Sequence, residues 1–283
     1  MKKQDESWDT IIEPSSSLIS VNFLEIIKYR DLLFLFVKRD FISFYKQTIL
    51  GPLWFLIQPL ITTITFTIIF SSMAKISTDG LPSILFYLVG VTLWNFFSES
   101  LTKISTSLRD NSGIFGKVYF PRLITPLSIV ASTFLKMSIQ IFLMLIFLLY
   151  YFIFKDFVGI NYFILIYPII IILLAMQALG MGMIVTALTN KYRDLSFLLT
   201  FGIQLFMYAT PIIYPISTVP EKYKTLIKLN PLTEIIEIAR LGILGKGFYN
   251  PYWLIYSIFS SLFILFLGLL IFNKVQKNFI DTV

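Results

Sequence analysis

The sequence predicts an all-α membrane protein: six transmembrane helices, an N-terminal cytoplasmic interface helix, and short outer-leaflet helices between the fifth and sixth spans. Three observations predict it. Hydrophobic residues make up 57% of the 283-residue chain and charged residues only 14%, with a mean hydropathy of +0.80, whereas a water-soluble domain runs near a quarter charged. The apolar residues fall into six stretches close to the ~20 residues that a bilayer core requires. Lys and Arg are distributed unequally between the segments joining those stretches.

The elements follow in chain order. The first ~20 residues are polar or mixed, and no apolar run follows a short basic start, so no secretory signal is expected. Over 22–37, Asn22, Glu25, Lys28 and Asp31 recur every third residue among Leu24, Ile26, Ile27, Leu33 and Phe34. That pattern predicts a helix lying in the interface, with a soluble surface helix as the alternative. A charged, aromatic segment from Phe36 then reaches Gly51-Pro52, which is expected to break it, with Trp54 as an interfacial anchor. The expected spans are 53–74, 84–101, 127–154, 162–188, 197–216 and 252–272. Pro168, Pro211 and Pro215 are expected to kink or end helices. Between spans five and six, Asn230-Pro231 reads as an N-cap followed by proline at the first helical position. The helix it starts carries Glu234, Glu237 and Arg240 at three-residue spacing. Dipping into the outer leaflet and lying as an amphipathic loop helix are both open readings of it. Ala178, Gly180 and Gly182 are expected to allow close helix approach.

With the N-terminus inside, the inner segments hold 15 of the 23 Lys and Arg residues and the outer ones 7, which predicts both termini in the cytoplasm. Lys136 remains, inside the third span, and reads as a lysine snorkelling to the interface. The domain organisation expected is a cytoplasmic segment over 1–52, a six-helix transmembrane domain over 53–273 and a cytoplasmic tail over 274–283.

Composition also excludes chemistry. There is no cysteine and no histidine, so disulfides, Cys/His zinc sites, thiol nucleophiles and Ser-His triads are ruled out. The net charge of +7 is absorbed by membrane topology, and no basic run with polar surroundings points to nucleic acid. No phosphate-binding Walker pattern is present. The nearest stretch, Gly242 to Gly247, lacks its spacing and its Ser/Thr. No carboxylates converge as in a membrane enzyme. A carrier working alone places ion-coupling residues at the midplane, and only Lys136 stands there. A transporter built this way takes its energy from a partner.

At this point motifs matter. Tyr45-Lys46-Gln47-Thr48-Ile49-Leu50-Gly51-Pro52-Leu53-Trp54, Lys117-Val118-Tyr119-Phe120-Pro121-Arg122, Lys191-Tyr192-Arg193-Asp194, Thr210-Pro211-Ile212-Ile213-Tyr214-Pro215 and Leu229-Asn230-Pro231-Leu232 occur in that order on the six-span frame. Each is weak alone. Together they resemble the ABC-2 type permeases that export polysaccharides such as O-antigen and teichoic acid, over nearly the whole chain. Lys136 has no counterpart in the pattern.

The resemblance implies a permease of an ATP-driven exporter in the bacterial inner membrane. It implies a homodimer paired with a separate nucleotide-binding ATPase subunit, which would hold ATP and Mg, with no cofactor on this chain. The cargo implied is an undecaprenyl-diphosphate-linked polysaccharide. Lys38, Arg39, Asp40, Tyr45, Lys46, Lys117, Arg122, Lys191, Arg193 and Asp194 would face the ATPase. On composition alone these segments are ordinary positive-inside loops. Aromatic faces stack on sugar C–H surfaces, so Tyr87, Trp94, Phe96, Phe97, Tyr208 and Tyr214 are the residues expected along the sugar path, with lipid contact or helix packing as the plainer reading. Lys38, Arg39, Lys46 and Arg122 are placed to attract a lipid diphosphate. The alternatives are an ABC-2 permease for a lipid or drug, a secondary transporter, or a lipid-sugar transferase.

Overall fold

A computed structural model describes residues 23–192 and 194–279. The helices are α1 (Phe23–Lys28), α2 (Arg30–Tyr45), α3 (Trp54–Phe66), α4 (Ser83–Asp110), α5 (Ser112–Phe115), α6 (Ile124–Lys155), α7 (Tyr167–Lys191), α8 (Leu195–Tyr208), α9 (Glu221–Lys228), α10 (Pro231–Leu244) and α11 (Pro251–Phe279), with no strand among the described residues. Five stretches are long and apolar enough to cross a membrane: Gly51–Met73, Ser83–Asp110, Ile124–Lys155, Tyr162–Lys191 and Pro251–Gln276. The chain is a multi-pass membrane protein.

The fifth expected span is corrected. In place of a continuous helix over 197–216, α8 has 14 residues and stops at Tyr208, about 21 Å at 1.5 Å per residue and short of a ~30 Å core. The cause is local. Thr210 precedes Pro211, which disfavours helical backbone there, and the segment 210–213 runs on as buried non-helical chain. The other prolines sort themselves by position. Pro168 starts α7 instead of kinking it, as an N–H-free residue does at a helix N-terminus. Pro215 precedes a short 3₁₀ turn. Pro59 lies inside α3.

The N-terminal helix is in two pieces broken at Tyr29, and α2 already ends at Tyr45, before Gly51-Pro52. Gln47 (φ 69°) and Gly51 (φ 54°) take left-handed backbone and turn the chain into the first span. That span opens on a 3₁₀ turn, Gly51–Leu53, and closes on a π-helical stretch, Thr67–Met73. There the Ala74 N–H donates to Ile69 O at 2.9 Å.

The bundle is organised around α4. Of its most apolar window 78% is buried, against 17–39% for the other spans. Helices α3, α6, α7, α8 and α10 all pack on it. α7 lies between α4 and α11 and meets both at backbone distance. A Cβ at Gly180 would sit 2.6 Å from the backbone of Ile264, and one at Gly182 would sit 2.7 Å from Ile104. The expected close approach is therefore present on two faces of one helix. Hydroxyls seal the same seam: Thr186 donates to Ile104 O at 2.8 Å and Thr189 to Ser105 O at 2.5 Å.

Protein encloses α10 on nearly all sides, which corrects its reading as an amphipathic loop helix with one face in water. Asn230 does cap it, accepting from Leu232 N at 3.0 Å, with Pro231 at the first position and Gly245 closing it in the left-handed region. Glu234, Glu237 and Arg240 are at most 3% exposed. Arg240 donates to Glu237 at 3.0 Å, to Pro211 O at 2.5 Å and to Ile212 O at 2.7 Å, and stacks on Phe86 at 3.7 Å. Glu237 accepts from Phe248 N at 3.1 Å, and Glu234 from Asn250 N at 2.8 Å. The triad thus supplies partners to backbone that no helix or strand satisfies.

Candidate functional site

A cleft of about 720 Å³ opens between α4 and α8, with α3 and α6 contributing at its edges. α4 lines it with Trp94, Asn95, Ser98, Glu99, Thr102 and Lys103, a stripe at helical spacing. α8 adds Thr200, Ile203, Gln204, Met207 and Tyr208, α3 adds Gln58, and α6 adds Gln140. Amides, hydroxyls and aromatic rings thus face a shared space within otherwise apolar spans. Polar groups at this depth are costly against lipid, so such a surface belongs to a wet path or a covered interface.

One ion cluster sits on its wall. Lys103 Nζ lies 2.8 Å from Glu99 Oε1, one helical turn away on α4. Lys136 of α6 reaches the same oxygen from behind. Lys136 is 4% exposed, so it does not snorkel; it is held in an interhelical ion pair. One residue along α4, Ser100 and Thr133 share a hydrogen bond of 2.7 Å across the same α4–α6 seam. Gln140 lies one turn beyond Lys136.

A second, smaller cleft of about 370 Å³ continues from Lys103 toward the end of the bundle that carries α2. It is lined by Arg39, Asp40, Ser43, Ser107, Asp110, Asn111 and Thr125, among others. Arg39 anchors α2 here. It pairs with Asp40 at 2.8 Å, donates to Asn111 Oδ1 at 3.1 Å and lies 4.5 Å above the Phe36 ring. Phe36 in turn packs edge-on against Phe120 at 5.6 Å.

The structure distributes the expected sugar-path residues unevenly. Trp94 and Tyr208 line the large cleft. Phe97 is buried directly behind, its ring 5.6 Å from Trp94 and 6.1 Å from Phe206. Phe96 is buried. Tyr87 is enclosed by Phe66 and Phe86. Tyr214 donates its hydroxyl to Tyr208 O at 3.0 Å, at the α8 exit. The polar residues of the stripe carry a signal in the sequence: positions 95, 98, 99, 102 and 103 fall on one helix face, as do 200 and 204.

The expected coupling residues fall on α2 and just after it, on the 117–122 loop and around the end of α7. Lys38, Lys46, Lys117, Lys191 and Asp194 are exposed. Tyr45 packs edge-on against Phe41 and Phe55. Arg122 donates to the Gln276 carbonyl, tying the α5–α6 loop to α11, and its guanidinium lies 5.6 Å from the Phe115 ring. Partial burial holds Arg122 below the usual arginine range. Arg193 lies outside the described residues. At the opposite end, burial pushes the Glu234 carboxyl up to about 7, with the neighbouring Glu237 adding to the rise and the Asn250 N–H opposing it. Burial likewise raises Glu237, against the pull of Arg240.

The family model of ABC-2 type transporters matches residues 31–244. Among curated proteins, the chain is 29% identical over 254 residues to an O-antigen export system permease protein RfbA of Klebsiella pneumoniae, covering 89% of this chain and 94% of that protein. It is 24% identical over 220 residues to the RfbA permease of Myxococcus xanthus, covering 75% and 80%. It is 22% identical over 232 residues to the polysialic acid transport protein KpsM of Escherichia coli, covering 81% and 87%.

Proposed function

The chain belongs to the ABC-2 type transporter family, and from that premise we propose that it is the membrane permease of a polysaccharide exporter. Its cargo is an O-antigen-like glycan linked to undecaprenyl diphosphate, moved outward across the bacterial cytoplasmic membrane. The single observation that carries the reading is the cleft: a row of amides, hydroxyls and aromatics from α3, α4 and α8, matched to sugar and ill matched to an apolar drug or lipid tail. The names of the related O-antigen export permeases point the same way.

In this reading α8 and the buried segment after it together make the fifth of six crossings, and both termini face the cytoplasm. Residues 1–52 form the cytoplasmic interface segment, 53–273 the transmembrane domain and 274–283 the tail. Two copies close the cleft into a path. A separate ATPase subunit holds ATP and Mg and docks at the α2 end, against Lys38, Arg39, Asp40, Tyr45, Lys46, Lys117, Arg122, Lys191, Arg193 and Asp194. Trp94 and Tyr208 meet the glycan directly. Phe97 backs Trp94, Tyr214 fixes the backbone at the exit, and Tyr87 supports the wall.

The test is export. Deleting the gene should leave polymer inside the cell, and the intact gene should restore surface polymer only when the neighbouring ATPase keeps its catalytic residues. The two proteins should co-purify. Surface polymer unchanged by deletion, or an ATPase that does not co-purify, would overturn the reading.

A further inference from the structure

The wall cluster has a charge imbalance that faces the cleft. Two lysines share one carboxylate: Lys136 holds Glu99 from the buried side, and Lys103 holds it at 2.8 Å from the open side. Lys103 lines both clefts, whereas Lys136, with its side chain 5% exposed, lines neither. Were Lys136 absent, Glu99 and Lys103 would cancel and the wall would be neutral. With Lys136 in place, the cluster carries one excess positive charge, and Lys103 is the group that presents it.

A second observation at the same wall is independent of charge. Gln140, 8% exposed, lines the large cleft, and its Oε1 has no hydrogen-bond partner among the described residues. A buried acceptor left without a donor is costly. That oxygen is enclosed in the wall, so the part of Gln140 left to meet the cleft is its amide N–H, a donor for a hydroxyl or an acidic oxygen there.

We propose that Lys103, whose charge the buried Lys136–Glu99 pair leaves in excess toward the cleft, and Gln140 form a subsite for an acidic group flanked by hydroxyls: a phosphate or carboxylate carried by a sugar. This rests on the exporter reading and deepens it by naming the class of substrate. Glu99 has a purpose in the arrangement. Two uncompensated lysines would trap an anion, while a single excess charge attracts one and lets it leave, as conduction requires. The continuity of the two clefts at Lys103 provides an approach from the α2 end. The acidic group has two possible sources, the glycan itself or the diphosphate that joins it to lipid, and both present the same chemistry to the subsite.

The experiment uses the permease co-purified with its ATPase in nanodiscs of neutral lipid. Titration calorimetry compares hexagalacturonate, maltohexaose and farnesyl diphosphate at low and high salt. At low salt the preferred anionic probe should bind about tenfold tighter than maltohexaose, a difference of about 1.4 kcal/mol. Lys103→Gln should reduce that preference to within twofold, and Lys136→Met should reduce it similarly by returning Lys103 to Glu99. Gln140→Leu should weaken both hexasaccharides to the same extent. Sensitivity to Lys103→Gln confined to hexagalacturonate assigns the site to the glycan, and sensitivity confined to farnesyl diphosphate assigns it to the linkage. Both support the subsite. An anion preference that is absent, or that Lys103→Gln leaves unchanged, overturns it. Export of native polymer by the wild-type complex, measured in parallel, reports on the exporter reading separately.

Discussion

Replacing Arg240 with Met removes a charge that is 1% exposed and bonded to three partners. The side chain that replaces it fills similar space, so the loss is polar, not a cavity. Breaking one side of a buried ion pair costs about 3–5 kcal/mol, because the remaining charge has no water to turn to. The carbonyls of Pro211 and Ile212 also lose their donors, at about 1–3 kcal/mol for a stranded buried group. These terms overlap, and Glu237 can relieve its share by taking up a proton, which its burial already favours. A net loss of about 4 kcal/mol remains, or a melting temperature lower by on the order of 10 °C for a protein of this size. The assay is thermal unfolding of detergent-solubilised protein, followed by tryptophan fluorescence and by the fraction that elutes as a single species. The double variant Glu237→Gln/Arg240→Met deletes the stranded carboxylate and should recover about half of the loss. A single variant melting within 2 °C of the parent, or a double variant no more stable than the single, would refute the claim that the triad braces the chain between α8 and α9.

Three further outcomes are expected. Gly180→Leu should abolish accumulation of folded protein in membranes, since even a Cβ there meets the Ile264 backbone at 2.6 Å; membrane-fraction immunoblots check it, and Gly202→Leu, where a Cβ meets nothing within 4 Å, serves as the control. The raised Glu234 means that the folded protein binds a proton the unfolded chain releases. Stability contributed by that proton is present below about pH 4.5, declines as pH rises and is lost above about 7, so the melting temperature should fall over that window and fall less in Glu234→Gln. Charge reversal at the exposed Lys117 and Lys191 should leave insertion and folding intact while lowering export at least tenfold and reducing ATPase capture; unchanged export would remove these residues from the docking surface.

Much of the architecture was legible because membrane solvation imposes simple patterns. Long apolar runs located five spans to within a few residues at most ends, and Asn230-Pro231 marked the start of α10. The α4 helix exceeded its expected end by nine residues, because the polar stripe from Glu99 to Lys103 continues a buried helix that hydropathy alone would cut short. The fifth span failed for the opposite reason: residues 209–216 are apolar enough to read as membrane helix, but two prolines exclude helical backbone. Glu234, Glu237 and Arg240 looked like the polar face of a surface helix. Three-residue spacing cannot distinguish charges facing water from charges facing orphaned carbonyls, and the partners at Pro211 and Ile212 lie 28–29 residues away. Lys136 was opaque for a related reason, since its partner Glu99 lies 37 residues distant on another helix. The cleft was half visible. Its aromatic members drew notice by type, whereas Gln58 and Gln140 are single polar residues whose meaning depends on what faces them.

The most enclosed span is also the least apolar one. α4 has a mean hydropathy of 1.4, against 1.9 to 2.5 for the other four. It is synthesised early, and the residues that pair with its polar groups come later: Thr133 on α6 with the Ser100 hydroxyl, and Thr186 and Thr189 on α7 with the carbonyls of Ile104 and Ser105. From Asp110 to Lys191 the ribosome adds 81 residues, which at about 5–20 residues per second takes roughly 4–16 seconds. For that interval α4 must be held by the insertion machinery or by α3 alone. The helix on which the whole bundle depends is therefore the step at which its biogenesis is most exposed to failure, and substitutions that make α6 or α7 slower to arrive should register first as degraded nascent chain, before any defect in transport can be measured.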